Sequence, residues 1–311
     1  MKTASHQPPH KILLGVLLIV ATAFTISAQD VVFKLFSSEM TLWQIFALRG
    51  CLAVPILLGL GFFHSSSMAV AKAALGRWLL LRSLFITGTF LAFYAAIPFL
   101  SLSTVGAANY IAPVFVALLS AYVIKEPVTL LGWVGVFVGF AGVIVLLRPG
   151  TDAFSPWAVL PVIGAGFYAL AHIITRTKCQ AVPLSAIALS QNIVMLIAGA
   201  VVSLALVFAR PEDALIAGYP YIFDTWSMID MQDAMALLVL AGFAVVLSMM
   251  LAAAYQVAPP AIVSTFEYSY LVFVVIWDVF FFGVALSVWT VIGMSMIALA
   301  GLLVLRGQSW K

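Results

Sequence analysis

The sequence predicts an all-α integral membrane protein, and three observations carry that prediction. Of the 311 residues, 65% are hydrophobic and only 8% are charged, the mean hydropathy is +1.19, and the apolar residues form long uninterrupted runs. About 20 such residues, rising about 1.5 Å each in a helix, cross a hydrocarbon core of roughly 30 Å. A membrane β-barrel would show short alternating segments instead. Helices are therefore expected, because they satisfy their own backbone hydrogen bonds in lipid.

Ten segments are apolar and long enough to span a bilayer. They lie at about 12–33, 43–63, 77–99, 103–124, 130–148, 156–175, 184–208, 233–256, 259–282 and 287–306. The first follows Lys2 and Lys11 and resembles a signal peptide, but we expect it to be retained as a span because the internal repeat described below needs it. Pro98 and Pro113 interrupt backbone hydrogen bonding and are candidate bend points.

The basic residues orient the spans. With a cytoplasmic N-terminus, ten of the 14 lysines and arginines fall on the inside, which satisfies the positive-inside rule. The sequence thus predicts a multi-pass protein of the inner (cytoplasmic) membrane with both termini in the cytoplasm. The longest loop, 209–232, is then external. Its aromatic residues suit the membrane interface, and the alternative is that the loop is a lid over an external opening.

Composition also limits the partners. The basic residues form no cluster, so no nucleic-acid partner is expected. Cys51 and Cys179 have no CxxC spacing and indicate neither a metal site nor a disulfide framework. No nucleotide-binding GxxxxGK[ST] loop is present, and no cofactor is predicted. The expected surroundings are a lipid bilayer and a small-molecule substrate.

The chain resembles itself at two offsets. A shift of 142 residues aligns Arg49 with Gln191, and a shift of 158 aligns Asn109 with Glu267. The sequence therefore predicts two repeats of five helices, at 12–150 and 156–306. An odd number of helices makes the second repeat enter the membrane from the opposite side, which is the inverted architecture of secondary transporters that work by alternating access.

A family resemblance follows from two runs. The segment from Tyr94 to Gly150, YAAIPFLSLSTVGAANYIAPVFVALLSAYVIKEPVTLLGWVGVFVGFAGVIVLLRPG, and the segment from Ala252 to Gly283, AAAYQVAPPAIVSTFEYSYLVFVVIWDVFFFG, resemble the two repeats of the EamA family in the drug/metabolite transporter superfamily. The resemblance covers about residues 14–306. It implies ten helices in two inverted units, a central cavity lined mainly by helices other than the fifth and tenth, and transport of small organic metabolites.

The resemblance also bears on substrate and on one motif. The stretch 264–273 resembles members that import riboflavin or S-adenosylmethionine, and the family also includes amino-acid transporters. The family commonly ends its ninth helix with Gly-Glu. Lys125-Glu126 matches that pair in the first half, but Gly283-Val284 stands there in the second. A symmetric pair of loop carboxylates is therefore in doubt.

Glu267 is the strongest candidate functional residue. It lies inside the ninth span, where a carboxylate costs at least a few kcal/mol unless it is protonated, paired or in contact with water. The functional interpretation is a substrate or proton site, with Asn109 facing it from the other repeat. The structural alternative is a protonated Glu267 that links helices by hydrogen bonds.

Other polar residues in the spans complete the prediction. Arg49 is expected to pair with a carboxylate in one access state and to lose that contact in the other. Predicted for substrate binding are Glu267, Asn109, Arg49, Tyr94, Tyr110, Tyr268, Gln191 and His172. Predicted for gating or coupling are Asp30, Lys34, Glu267 and Asp278. A local ion pair between Asp30 and Lys34, a packing role for His172 and an interfacial place for Asp278 are the structural alternatives.

Two features allow other interpretations of the protein. The glycine strip of the fifth span, at 132, 135, 139 and 142, indicates close helix packing, either within the fold or in a homodimer.

Two other classes of function are an intramembrane enzyme and a non-transporting membrane scaffold. No HExxH motif is present, so the sequence does not favour the enzyme.

Overall fold

A computed structural model describes residues 9–36, 40–64, 66–150, 155–283 and 285–307. Fifteen α-helices form this part of the chain, joined by turns and one short 3₁₀ turn. The helices are α1 (Pro9–Phe36), α2 (Leu42–His64), α3 (Ser67–Ala74), α4 (Arg77–Ala96), α5 (Leu102–Asn109), α6 (Ala112–Tyr122), α7 (Leu130–Leu147), α8 (Val159–Lys178), α9 (Leu184–Ala209), α10 (Asp213–Gly218), α11 (Pro220–Phe223), α12 (Met231–Val257), α13 (Pro260–Phe266), α14 (Ser269–Phe282) and α15 (Val288–Arg306).

The predicted fold class is confirmed. Within the described residues, ten helical segments are long and apolar enough to cross a membrane. They are His10–Val32, Leu42–Gly61, Arg77–Ala96, Thr104–Tyr122, Leu130–Leu147, Pro156–Lys178, Leu184–Ala209, Met231–Val257, Pro260–Phe281 and Val288–Arg306. Each of them overlaps one predicted span.

The fourth and ninth spans are each broken into two helices. The apolar pattern of the ninth span did not predict its break. The fourth span is interrupted between α5 and α6, just before Pro113. Proline has no N–H to donate to the carbonyl of Asn109 four residues earlier, and its ring clashes there. The ninth span is interrupted at Glu267 and Tyr268, where no proline stands.

Short-range hydrogen bonds explain the second break. The amide of Glu267 donates to the carbonyl of Ser264 and that of Tyr270 to the carbonyl of Glu267, so the turn has the tighter three-residue spacing. The Thr265 hydroxyl donates to Ala261 O at 2.8 Å and the Ser269 hydroxyl to Phe266 O at 2.6 Å. Such side-chain bonds compete with the helical ladder and bend helices. The break in the fourth span at Tyr110 lies 158 residues before Tyr268, which is the offset of the predicted repeat.

Helices α7 and α15 pack closely through glycines. A Cβ atom added to Gly135 would lie 2.5 Å from Val304 Cγ2 and 2.9 Å from Ala300 O, and one added to Gly293 would lie 2.7 Å from Leu146 Cβ and 2.8 Å from the carbonyl of Gly142. The two contacts correspond residue by residue at an offset of 158: Gly135 to Gly293, Leu146 to Val304 and Gly142 to Ala300. The contacts are therefore related by a local twofold, and the glycine strip is used within the fold.

The described chain divides into two compact units, each drawn from both halves of the sequence. The first consists of Met1–Ser27, Gly88–Gln180 and Met250–Lys311, and the second of Ala28–Thr87 and Ala181–Met249. The core of the first includes Ile19, Val116, Ala169 and Val263. The division into repeats at 12–150 and 156–306 stays a prediction.

The long loop predicted to be external is tied to helix α2 within the second unit. The Trp43 indole donates to the carbonyl of Ile222 at 2.7 Å, and the Gln44 amide exchanges hydrogen bonds with the backbone of Ser227 at 2.9 and 3.1 Å. Trp43 and Gln44 are both buried. The loop carries helices α10 and α11, so it is a folded segment held to a span.

Replacement of Gly199 by alanine tests the packing of α2 against α9. A Cβ atom there would lie 2.7 Å from the backbone nitrogen of Ala47 and 2.7 Å from the carbonyl of Trp43. Since backbone atoms cannot move aside alone, Gly199→Ala should destabilise the protein by about 1–3 kcal/mol, seen as a lower thermal midpoint in detergent. The matched control is Gly242→Ala, because no atom lies within 4 Å of its Cβ position. It should be neutral or, through helix propensity, stabilising by up to about 1 kcal/mol. Equal midpoints for both variants would contradict the packing.

Candidate functional site

Glu267 lies in the break between α13 and α14 and is half-buried. One of its carboxylate oxygens, Oε1, accepts two hydrogen bonds, from the Tyr168 hydroxyl at 2.8 Å and from the Tyr255 hydroxyl at 2.7 Å. Tyr168 comes from α8 and Tyr255 from the end of α12. Side chains from three helical segments thus meet at a single oxygen atom.

His172 holds the two tyrosine rings. It lies one turn after Tyr168 on α8 and is fully buried. Its ring centroid is 4.2 Å from that of Tyr168 and 3.9 Å from that of Tyr255, with the latter pair nearly parallel at 24°. A planar ring fixed between two others restricts their rotation. His172 therefore contacts both of the side chains that donate hydrogen bonds to Glu267.

A second aromatic group lies on the other side of the break. Tyr268 is fully buried, and its ring centroid is 6.2 Å from that of Tyr110. Tyr110 also stacks with Tyr270 at 6.3 Å. Two polar atoms here, Tyr268 Oη and Asn109 Oδ1, are buried and form no hydrogen bond with any described residue. The predicted facing pair, Asn109 and Glu267, shares no hydrogen bond.

The site presents oxygen atoms rather than cations. No lysine or arginine in the described ranges forms an ion pair with Glu267. The two phenol hydroxyls supply hydrogen bonds to the carboxylate, each worth about 1.5–3 kcal/mol when the acceptor is charged. They offset part of the cost of removing the carboxylate from water. Oε2 of Glu267 accepts no hydrogen bond from a described residue and can receive one from a group that brings its own donor.

A buried ion pair lies elsewhere in the same unit. Arg176 Nε donates to Glu126 Oε1 at 2.8 Å, with the two side chains 5% and 30% exposed. Arg176 Nη1 donates to the carbonyl of Gln256 at 2.8 Å, and the Gln256 amide donates to the carbonyl of Cys179 at 2.6 Å. This cluster links the turn after α6 with the ends of α8 and α12. Glu126 belongs to the loop motif that the second half lacks.

The turn that contains this motif has a left-handed residue at the same position in both halves. Lys125 and Gly283, which are 158 residues apart, both adopt a left-handed backbone, with φ of 59° and 63°. The residue that follows is Glu126 in one case and Val284 in the other, and Val284 lies outside the described residues. Valine cannot accept a hydrogen bond from an arginine, so its side chain offers no counterpart of the Glu126–Arg176 pair.

The second unit contains a separate polar group between α4 and α9. Arg82 is 1% exposed, and its Nη1 donates to Gln191 Oε1 at 3.0 Å. The neighbouring residues on the two helices, Ser83 and Ser190, are hydrogen bonded at 3.1 Å. Gln191 was predicted from the sequence, but its arginine partner was not.

The remaining predicted residues are dispersed over both units. Arg49 is half-buried, with Nη2 3.8 Å from Met195 Sδ and its guanidinium 5.4 Å from the Phe46 ring centroid. Tyr94 packs its ring against Phe93 at 5.3 Å. The half-buried residues Asp30 and Asp278 lie on α1 and α14. The Lys34 side chain lies outside the described part of the structure. The roles assigned to these residues stay predictions.

Tyr168, Tyr255 and the Arg176–Glu126 pair were not selected as site residues from the sequence. Tyr168 and His172 are four residues apart on one predicted helix, which places two polar aromatic groups on one face. That spacing was the available signal for Tyr168. No local pattern identifies Tyr255 or Glu126, because their partners lie 12 and 50 residues away.

A double-mutant cycle tests the ion pair. Glu126→Gln should lower the free energy of unfolding by about 1–3 kcal/mol, because the buried Arg176 guanidinium loses its carboxylate. Arg176→Met combined with Glu126→Gln should recover part of the loss, since no charge is then left buried. Thermal midpoints of the wild type, both single variants and the double variant in detergent give the coupling. Strictly additive midpoint shifts would show that the two side chains do not interact.

Comparisons with known proteins agree with the fold. Residues 13–148 match the model of the EamA-like transporter family. A crystal structure of a protein with 14% sequence identity superimposes with a TM-score of 0.73, over 93% of this chain and 96% of that one. The S-adenosylmethionine uptake transporter of Rickettsia felis is 23% identical over 164 residues, which are 53% of this chain and 55% of that protein. The match thus spans little more than half the length of this relative. The family match, over somewhat less than half of the chain, and the ten apolar helices together show that the chain is similar to the EamA-like transporter family.

Proposed function

We propose that the protein is a secondary transporter of a small organic metabolite, with Glu267 at its binding site. The observation that carries the proposal is a carboxylate inside a membrane span, bound by two tyrosine hydroxyls and by no basic residue of the described ranges. Ionisable groups within spans are costly and generally mark a solute or proton pathway. A break in the helix at the same residue is typical of transporter sites.

The geometry suggests how the carboxylate is used. Oε1 is occupied by Tyr168 and Tyr255, which fix the orientation of the side chain. Oε2 is the atom that can accept a proton or a donor group of the substrate. A proton and a cationic substrate would compete for it, and exchange of one for the other couples uptake to a proton gradient. A permanently protonated Glu267 that only links helices is the alternative.

Alternating access is the mechanism that we propose. Inverted repeats give a transporter two states of similar energy, open to either side. The breaks at Tyr110 and Tyr268 and the reciprocal contacts of Gly135 and Gly293 support the repeat, because each pair is separated by 158 residues. We further propose an inner-membrane location with both termini in the cytoplasm, on the distribution of the basic residues.

S-adenosylmethionine is the first substrate to test. It is the substrate named for the Rickettsia felis relative, and its sulfonium and ammonium groups are cations that suit a site of oxygen acceptors and tyrosine faces. Riboflavin and amino acids are the other classes expected from the sequence. Riboflavin would use the aromatic faces but offers no cation to Glu267, so the two metabolites probe different parts of the site.

Uptake by proteoliposomes tests the proposal. The purified protein should accumulate labelled S-adenosylmethionine, riboflavin or an amino acid, and an imposed proton gradient should change the rate. Glu267→Gln should reduce uptake at least tenfold and remove its dependence on the gradient, because glutamine neither ionises nor carries a proton. Glu212→Gln, at an exposed carboxylate on the long loop, should behave as wild type.

The outcomes separate the alternatives. Undiminished, gradient-dependent uptake by Glu267→Gln would move the site elsewhere. Conversion of a substrate into product without its movement across the membrane would favour an intramembrane enzyme. Neither transport nor conversion of any tested class would favour a scaffold.

The tyrosine hydroxyls should each contribute to the site. Tyr255→Phe and Tyr168→Phe each remove one hydrogen bond to Glu267, and loss of about 1.4 kcal/mol or more corresponds to at least a tenfold decrease in kcat/KM for uptake. The matched control is Tyr122→Phe, since Tyr122 is 75% exposed. If both site variants transport as well as the control, then the two hydroxyls do not support the function of Glu267.

A further inference from the structure

Gly139 on α7 contacts the ring of Tyr268 directly. A Cβ atom added at this glycine would lie 2.5 Å from both Cδ2 and Cε2 of Tyr268. Carbon atoms in contact are normally 3.5–4.0 Å apart, and both ring atoms belong to one rigid plane. Any side chain at position 139 must therefore displace the whole ring by about 1 Å.

The other glycines of the strip do not make this contact. Gly135 faces Val304 and Ala300, and Gly142 faces Met296, Gly293 and Ile297, all on α15. Gly139 also approaches α15, but the nearest atom there, Ala300 Cβ, lies at 3.2 Å. A shift of a few tenths of an ångström would relieve that contact. The requirement for glycine at 139 thus comes from Tyr268 rather than from the pairing of α7 with α15.

The Tyr268 hydroxyl lacks a hydrogen-bond partner among the described residues. The residue is fully buried, yet Oη forms no hydrogen bond with any described residue. A buried hydroxyl without a partner is destabilising, so its presence here points to a ligand that supplies one. The ring itself packs in a core with Val143, Leu271 and Ile297, and Tyr268 is the neighbour of Glu267 in the chain.

We propose that Gly139 is a positioning residue that places the Tyr268 hydroxyl for contact with the substrate beside Glu267. Through this contact, α7 sets the geometry of the site, although the family resemblance assigns the fifth helix no major part in lining a cavity. The proposal rests on the proposed function, because it gives Tyr268 a transported ligand.

Four variants test it: Gly139→Ala, Gly142→Ala, Tyr268→Ala and the double variant Gly139→Ala/Tyr268→Ala. Gly139→Ala should raise the KM for S-adenosylmethionine uptake about 10- to 100-fold, since a displacement of about 1 Å in a site has effects of this size. Gly142→Ala alters the same helix pair without contacting Tyr268 and should lower the thermal midpoint with less than a threefold change in KM. In the Tyr268→Ala background, Gly139→Ala should have no further effect, because the ring it displaces is gone.

A second measurement needs no substrate. Dicyclohexylcarbodiimide, which reacts with carboxyl groups in apolar surroundings, should label Glu267, with Glu267→Gln as the unlabelled control. Gly139→Ala should change the labelling rate at least threefold, whereas Gly142→Ala should not. Two results would overturn the positioning role. One is that Gly139→Ala and Gly142→Ala have equal labelling rates and equal thermal midpoints. The other is that the effects of Gly139→Ala and Tyr268→Ala on these quantities add in the double variant. Absence of uptake by the wild type would count against the proposed function, and the labelling rates would still decide the role of Gly139.

Discussion

A carboxylate inside an apolar helix is the constraint on which the first unit depends. Glu267 cannot lie in the membrane without hydrogen bonds, and the chain supplies them from Tyr168 on α8 and Tyr255 on α12. These bonds hold three segments together at one oxygen atom. His172 fixes the two tyrosine rings, and the three-residue spacing of hydrogen bonds at Glu267 opens the helix at that point. The helix break, the aromatic packing and the polar contacts of this unit thus meet at one half-buried acid.

The pair of helices α7 and α15 supplies the rigid part of the same unit. Reciprocal contacts at Gly135 and Gly293 bring the two backbones close, and a close backbone approach leaves little freedom to slide. Gly139 brings the backbone of α7 equally close to the Tyr268 ring. The loop carboxylate Glu126 distinguishes the two halves, because it pairs with Arg176 and its counterpart is a valine. The proposed repeat is therefore symmetric in its packing and asymmetric in its charges.

The sequence identified Glu267 but did not select the two tyrosines that bind it as site residues, for a physical reason. A lone acid in an apolar run is conspicuous, because its cost is independent of its neighbours. Tyrosine is common in packing cores and at membrane interfaces, so nothing in the sequence separates Tyr255 from other aromatic residues. The hydrogen bond from Tyr168 joins residues 99 positions apart. The contact of Arg82 was not predicted either, because basic residues near the end of a span usually reach the interface. Arg82 instead donates to the buried amide of Gln191.

The sequence by itself determined the number of spans, their approximate bounds and the presence of an acid at depth. It could do so because transfer of apolar side chains into lipid is local and nearly additive along the chain. Only the tertiary structure decided where the ninth span breaks, which hydroxyls satisfy Glu267 and which glycine of the strip contacts Tyr268. The break depends on which short-range hydrogen bonds form at Glu267, and the other two features depend on distances between side chains and backbones of different helices. A difference of 1 Å there separates contact from clash, and hydropathy carries no information about it.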